Sequence, residues 1–94
     1  MLESAFNIIF DEPFDVRIRF SAGQARYIKE RQWAREQKFI DEPDGSVVLE
    51  MKTSGRDEVK RWVLSFGSAA VVLKPAELRE DVREELKLAF GAYV

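Results

Sequence analysis

The chain has 94 residues, 46% of them hydrophobic and 12% aromatic, which is enough for one small folded domain and excludes a disordered chain. Charged residues nearly balance to a net charge of −2, which argues against a dedicated duplex-DNA binder. Cysteine and histidine are absent, which removes disulfides, the usual zinc sites and thiol or imidazole catalysis. We therefore expect neither an enzyme nor a cofactor or metal.

The first twelve residues form a lead-in to the first regular element. Residues 6–10 are mostly apolar and are followed by an Asp-Glu-Pro sequence, so we interpret residues 1–12 as a linker from a preceding domain. Residues 14–20 then alternate strictly between apolar and charged side chains, which predicts a β-strand buried on one face. Arg17 and Arg19 should project from the face opposite the core.

A helix is predicted next, over residues 22–32. Ser21 is a suitable N-cap, and Gln24 occupies the capping-box position. Trp33 lies just past the predicted helix end. A role as a partly buried aromatic closing this end against the sheet is preferred over a base-stacking platform, because an isolated Trp is usually structural.

A β-hairpin is predicted in the middle of the chain. Its arms are residues 36–42 and 47–53, and its turn, residues 43–46, contains an Asp-Gly pair. The period of two assigns the second arm's residues to alternate faces. The core-facing residues are Val47, Leu49 and Met51, and the outward-facing residues are Val48, Glu50 and Lys52.

The second helix is predicted over residues 56–66. Its apolar residues recur at i, i+3, i+4 and i+7, and they are Val59, Trp62, Val63 and Phe66. Ser54 or Asp57 is expected to cap the first turn, and Gly67 is expected to end the helix in a left-handed conformation. A stripe that contains Trp and Phe needs a large apolar surface, which the neighbouring strands provide.

A fourth strand and a last helix complete the chain. Residues 70–74 predict a short strand covered on most of both faces, and Pro75 is expected to start the helix. The apolar face of this helix contains Leu78, Val82, Leu86 and Ala89, with Phe90 and Tyr93 near the end. The element order predicts an α+β fold, a ferredoxin-like βαββαβ sandwich with an additional C-terminal helix.

Two basic groups are the candidate contact residues. Arg17, Arg19 and Lys52 are expected on the outer face of the sheet, where they form a strip suited to a nucleic-acid strand, a small anionic effector or an acidic partner. Cross-strand ion pairs on a solvated face are the more common explanation. A second basic group lies on and after the first helix and consists of Arg26, Lys29, Arg31 and Arg35. It is interpreted as a solvated helix face in preference to a phosphate or DNA contact. The many carboxylates lie among Lys and Arg and are interpreted as charged surface rather than as an acid–base or Mg²⁺ site.

Several segments together resemble one known family. Residues 14–20 look like its first strand, residues 25–33 like a helix ending in an aromatic residue, and residues 71–79 like the strand and start of its last helix. The most specific part is Asp44-Gly45-Ser46 with the apolar strand after it, followed by Arg61-Trp62-Val63-Leu64-Ser65-Phe66-Gly67. This pattern resembles the C-terminal extension of bacterial WYL-domain-containing transcriptional regulators. Family members often have Gly at the position of Asn7 and His at that of Ala34.

The resemblance implies a regulatory role. In that family a winged helix-turn-helix binds promoter DNA, the WYL domain senses an effector, in some members single-stranded nucleic acid, and the ferredoxin-like extension takes part in dimerisation. It implies that residues 13–94 are a regulatory module of a cytoplasmic, homodimeric DNA-binding regulator, joined by residues 1–12 to a WYL domain. Alternatives are a small-molecule-binding ferredoxin-like module and a single-stranded nucleic-acid-binding open sheet. No membrane partner is expected, because no apolar run approaches about 20 residues.

Overall fold

A computed structural model describes residues 12–94, so the predicted linker lies outside the described residues except for Glu12. The elements are β1 (Phe14–Phe20), α1 (Ala22–Lys29), β2 (Glu36–Asp41), β3 (Val47–Thr53), α2 (Arg56–Leu64), β4 (Ala70–Lys74) and α3 (Ala76–Ala92), with a 3₁₀ turn over Gly67–Ala69. Their order is the one predicted. The fold is α+β, as expected.

The four strands form one antiparallel sheet in the order β2-β3-β1-β4. This order is that of a ferredoxin-like sandwich, in which β1 and β3 are central and the hairpin partner β2 lies at one edge. β1 alternates as predicted, because Val16, Ile18 and Phe20 are buried whereas Arg19 is exposed and Arg17 is half-buried. The two arginines therefore lie on the face opposite the core.

The core lies between the sheet and the helices. The inward-facing residues of the central strands pack with the apolar residues of α1, α2 and α3 into one cluster. Its members are Val16, Ile18, Phe20, Ala25, Ile28, Trp33, Ala34, Val47, Leu49, Met51, Val59, Val63, Ala70, Val72, Leu78 and Val82. The predicted stripe of α2 is thus confirmed as core-facing, with Trp62 and Phe66 packed at its margin.

A group of aromatic rings links the end of α1 to α2. Trp62 lies 4.8 Å from Trp33, 5.5 Å from Phe20 and 5.4 Å from Phe66, measured between ring centroids. Trp33 is buried, and its Nε1–H donates to the carbonyl oxygen of Ile28 at 2.9 Å. The structural role predicted for Trp33 is therefore confirmed.

Helices α1 and α2 both end earlier than predicted. α1 stops at Lys29 rather than at residue 32, because the Gln37 side chain accepts hydrogen bonds from the amides of Trp33 (2.6 Å) and Ala34 (3.1 Å). It also donates to the carbonyl of Arg31 at 3.1 Å, so it holds the backbone after α1 in an irregular path. α2 stops at Leu64 rather than at residue 66.

Capping also differs from the prediction. Ser21 is at the N-cap of α1 but makes no side-chain capping hydrogen bond. For α2 the expected caps, Ser54 and Asp57, were wrong, since the N-cap position is Gly55 with a left-handed φ of 87°. Glycine adopts this conformation without the Cβ clash that other residues meet. Gly67, at φ 59°, has the left-handed conformation expected after α2.

The exposure of two valines does not follow from the period of their strands. Val48 lies on the outer face, opposite Arg19 and Ile40, yet it is only 5% exposed. It is in a central strand with neighbours on both sides, so adjacent side chains cover it. Val71 was expected to be covered but is 38% exposed, because β4 is an edge strand with a neighbour on one side only.

The last helix is only partly packed on the domain. Pro75 is its N-cap rather than its first helical residue, and its buried residues are Leu78 and Val82. α3 lies beside β4 and α2, where Arg79 donates to the carbonyl of Val72 at 3.0 Å. Every residue from 83 to 94 is exposed. Within residues 12–94, no helix combines the length and apolar character needed to span a bilayer.

The β2–β3 turn contains the predicted Asp-Gly pair, and its Asp44 carboxylate is hydrogen-bonded to Ser46. The Asp44 carboxylate accepts hydrogen bonds from the Ser46 hydroxyl (2.6 Å) and amide (2.9 Å), and Gly45 has φ 91°. The hydroxyl and amide of Ser46 stabilise the charged carboxylate and lower the pKa of Asp44 below its ordinary value. This contact therefore stabilises the fold above the pKa of Asp44 in the unfolded chain.

We expect the stabilisation from Asp44 to be lost as the pH falls through its lowered folded-state pKa. An NMR titration of the Asp44 carboxyl carbon should show that pKa below the ordinary value. Ser46→Ala removes the hydroxyl donor, the largest cause, so the pKa of Asp44 should rise toward its ordinary value. An unchanged pKa in that variant would contradict this origin of the shift.

Candidate interaction surface on the open sheet face

The sheet face opposite the core carries most of the candidate contact residues. The strand registers place charged residues at one end of this face and apolar residues at the other. The charged residues are Asp15, Arg17, Glu36, Lys38, Glu50 and Lys52, and the apolar ones are Ile40, Val48 and Val71, with Arg19 between the two valines. The charged end includes a shallow depression of about 520 Å³.

Ion pairs on this face follow the strand register. Arg17 is paired with Glu50, its register partner on β3, through an ion pair that includes an Nε–H hydrogen bond to Oε2 at 2.6 Å. Lys38 approaches the other oxygen of Glu50 at 3.8 Å, so one carboxylate lies between two cations. Because the partners are directly opposite each other, the strand pairing itself creates these contacts.

Lys52 is paired in the same manner. Its Nζ lies 3.4 Å from an oxygen of Asp15, its register partner on β1. Two of the three cations predicted for the sheet face thus contact carboxylates within the domain. An anionic ligand that binds here must compete with those carboxylates, whereas a partner surface with both charge signs can exchange pairs with them.

Arg19 has different surroundings from Arg17. Its register partners are Val48 on β3 and Val71 on β4, and its side chain is exposed. Its charge contributes to the lowered pKa of Asp44, as the smallest of the causes. Arg19 therefore presents a cation beside one partly exposed apolar residue, Val71, a combination found at protein interfaces.

The second predicted group lies elsewhere in the fold. Arg31 follows α1, and its guanidinium lies 4.4 Å from the centroid of the Tyr27 ring. Arg35 directly precedes β2. The structure therefore places Arg17, Arg19 and Lys52 together on the open face, and places Arg31 and Arg35 in the connection between α1 and β2.

The charged groups of the described residues lie at the surface or have partners within the domain. Within residues 12–94, no group of three or more carboxylates is arranged to hold a metal ion. In the same part of the chain, every buried side-chain nitrogen and oxygen has a hydrogen-bond partner. The face thus offers exposed, mutually paired charges and an apolar margin to a partner.

A second surface, not predicted from the sequence, lies at the end of α3. The apolar stripe of α3 continues past Val82 through Leu86 (45% exposed) and Phe90 (71% exposed), which lie beyond the packed half of the helix. The helical spacing predicts the apolar stripe, but it does not indicate how far along α3 the rest of the domain covers that stripe. Tyr93, 91% exposed, follows directly after the helix.

We expect the Arg17–Glu50 pair to contribute little to stability. A double-mutant cycle with Arg17→Ala and Glu50→Ala should give a coupling free energy of at most about 1 kcal/mol, because the pair is partly exposed and screened by water. The coupling should decrease in high salt, and a cycle pairing Arg19→Ala with Glu50→Ala should give a smaller value. Coupling well above that range, measured by urea unfolding, would contradict this picture of a solvated face.

The comparisons with known proteins assign the chain to a family. The model of the WCX domain matches residues 12–90, which is nearly all of the described chain. No curated protein sequence matches the chain. The matched region includes all four strands, helices α1 and α2, and most of α3.

Proposed function

Because the chain belongs to the WCX domain family, the C-terminal domain of WYL-containing regulators, we propose that it is a regulatory and dimerisation module of a cytoplasmic DNA-binding transcriptional regulator. In this proposal it assists effector sensing by an adjacent WYL domain. The family match over residues 12–90 is the observation that carries the proposal. Promoter DNA is bound by a winged helix-turn-helix, and the WCX domain has no catalytic role.

The open sheet face supports a role in contacts between domains or subunits. It presents charges of both signs and an exposed cation, Arg19, beside the partly exposed Val71. Such a surface can associate with a partner in more than one arrangement, since rim ion pairs are individually weak. An effector bound at the WYL domain would favour one arrangement, and it acts only to the extent of its differential affinity for the two.

The proposal is tested in the intact regulator, whose gene must encode a winged helix-turn-helix and a WYL domain upstream of residue 13. We expect the intact protein to be a dimer that binds its promoter, and a version ending before residue 13 to lose dimerisation or the response of promoter binding to the effector. Mass is measured by light scattering and regulation by a promoter reporter. A truncated protein that is still a dimer, with unchanged promoter affinity and effector response, would overturn the proposal.

A matched pair of charge reversals tests the open face. Arg19→Glu changes an exposed cation on this face, whereas Arg26→Glu changes one on α1, whose side chain is 92% exposed in its ion pair with Glu30. We expect Arg19→Glu to weaken dimerisation or regulation in the intact regulator and Arg26→Glu to leave both unchanged. Equal behaviour of the two variants would exclude the open face as the contact surface.

Binding of single-stranded nucleic acid by the open face is the competing hypothesis. The pairing of Arg17 with Glu50 and of Lys52 with Asp15 weakens it, because those carboxylates repel phosphates. Titration of the domain with single-stranded DNA is expected to show no salt-dependent binding. Binding that weakens with salt and is lost in the Arg17→Ala/Arg19→Ala double variant would favour this hypothesis instead.

A further inference from the structure

A polar pocket lies at one end of the sheet, where three connections of the chain meet. They are the junction between β1 and α1, the β2–β3 turn and the 3₁₀ turn that precedes β4. The pocket has a volume of about 380 Å³, near the lower end of the range for small-molecule sites. It shares no lining residue with the charged depression on the sheet face, so it is a separate feature.

The walls of this pocket are held together by contacts between segments that are distant in sequence. The amide of Ser21 donates to the carbonyl oxygen of Ala69 at 2.9 Å, which joins the β1–α1 junction to the 3₁₀ turn. A Cβ atom added at Gly45 would lie 3.2 Å from that of Ala22, so the β2–β3 turn lies directly against the start of α1. A pocket whose walls are fixed without a ligand lowers the entropic cost of binding one.

Three donor side chains on the pocket wall have no hydrogen bond or ion pair within residues 12–94. They are the guanidinium of Arg19 and the hydroxyls of Ser21 and Ser68, and Ser21 does not use its hydroxyl to cap α1. The N–H groups of a guanidinium match the two oxygens of a carboxylate, and hydroxyl groups add further donors. This side of the pocket therefore suits a carboxylate.

The pocket also contains one carboxylate, that of Asp44. Ser46 donates to it through both its hydroxyl and its amide, and both hydrogen bonds end on Oδ1, so Oδ2 is available to a ligand. The negative charge of Asp44 repels a purely anionic ligand and attracts an ammonium group. A ligand that satisfies both Arg19 and Asp44 therefore carries charges of both signs.

The rest of the pocket lining is apolar and small. It consists of Ala22, Ala69 and Val71, and Val71 is 38% exposed. An aliphatic group placed against these side chains removes apolar surface from water. The lining thus adds an aliphatic portion to the two charges of the ligand.

We propose that this pocket binds a small aliphatic α-amino acid. Arg19 binds the ligand carboxylate, and the hydroxyls of Ser21 and Ser68 donate to it. Asp44 accepts hydrogen bonds from the ligand ammonium group, and the aliphatic side chain contacts Val71. The inference goes beyond the proposed regulatory function and does not rest on it, since it concerns only the described domain.

The test is a titration of the 94-residue chain with L-valine, followed by the amide signals in ¹H–¹⁵N NMR spectra. We expect saturable shifts of the amides of Ser21, Ser46 and Ala69, whereas the amide of Lys38 on β2 should not move. Isovalerate lacks the ammonium group and isobutylamine lacks the carboxylate. Each should bind at least about tenfold more weakly than valine, because it loses a hydrogen bond between charged groups. Absence of saturable shifts with valine, or equal affinity for all three compounds, would overturn the proposal.

Two substitutions separate the roles of the two charges. Arg19→Gln should abolish binding of valine, whereas Arg26→Gln, which changes an exposed cation on α1 outside the pocket, should leave it unchanged. Asp44→Asn should weaken valine binding at least about tenfold but strengthen isovalerate binding, because it removes the repulsion of an anion.

The opposite responses to Asp44→Asn distinguish a binding role from a structural one. All three substituted residues are exposed, so the fold should be retained, and the dispersion of the amide spectrum verifies this. If Asp44 only maintained the turn, Asp44→Asn would weaken both compounds alike. That result, or equal valine affinity in Arg19→Gln and Arg26→Gln, would overturn the proposal.

Discussion

Leu49→Ala is expected to destabilise the domain by about 3 kcal/mol, within the range for a buried leucine truncated to alanine. Leu49 is fully buried in the central strand β3, opposite Ile18 on β1 and Phe39 on β2. Truncation leaves a cavity that the paired strands on either side cannot close. A small domain has about 5–15 kcal/mol of stability in total, so this is a large fraction.

The control for this variant is Leu88→Ala. The chemical change is the same, but Leu88 is 71% exposed on α3. The free energy of unfolding should therefore fall by less than about 0.5 kcal/mol. Urea unfolding followed by tryptophan fluorescence measures both. Similar losses in the two variants would mean that the core is not centred on the β3–β1 pair.

Trp62→Ala should have an effect of similar size, again about 3 kcal/mol. The indole contacts Phe20, Trp33 and Phe66 and so connects α2 to the sheet and to the end of α1. Each ring pair adds about 0.5–1.5 kcal/mol beyond area burial, which offsets the partial exposure of Trp62. Urea unfolding followed by circular dichroism measures the loss.

Two comparisons isolate the ring contacts of Trp62. Trp62→Phe keeps an aromatic ring and should cost less than Trp62→Ala, while Tyr93→Ala removes an aromatic that is 91% exposed and should cost almost nothing. The rings of Trp33 and Trp62, whose centroids are 4.8 Å apart, should also give an exciton couplet in the far-ultraviolet circular dichroism spectrum. This couplet should be absent from the spectrum of Trp62→Phe. A couplet that persists in that variant would contradict the pairing.

Local patterns predicted the elements well, and they predicted the ends of the helices poorly. The alternation of residues 14–20 and the spacing of Val59, Trp62, Val63 and Phe66 each report which side of one element is apolar. The early end of α1 depends instead on the Gln37 side chain, which comes from the next strand and bonds to the backbone at Trp33. A window of sequence around the helix does not contain that contact.

The candidate site was also predictable only in part. The period of a strand predicts Arg17, Arg19 and Lys52 on the outer face, because alternate residues of a strand face opposite sides. Which of them is neutralised depends on register, and the register places Glu50 opposite Arg17 but Val48 opposite Arg19. Register is set by pairing between distant segments, so it distinguishes arginines that look equivalent along the chain.

The architecture follows from local sequence patterns, since each strand and helix has its own apolar period and the turn glycines Gly45 and Gly67 fall where the chain changes direction. Which apolar residues remain exposed depends instead on how the elements pack against one another. Val48 is buried by strands on both sides, whereas Val71 at the sheet edge and Leu86 beyond the domain body are not. Exposure depends on neighbours that are distant in sequence, and periodicity within one element carries no information about them.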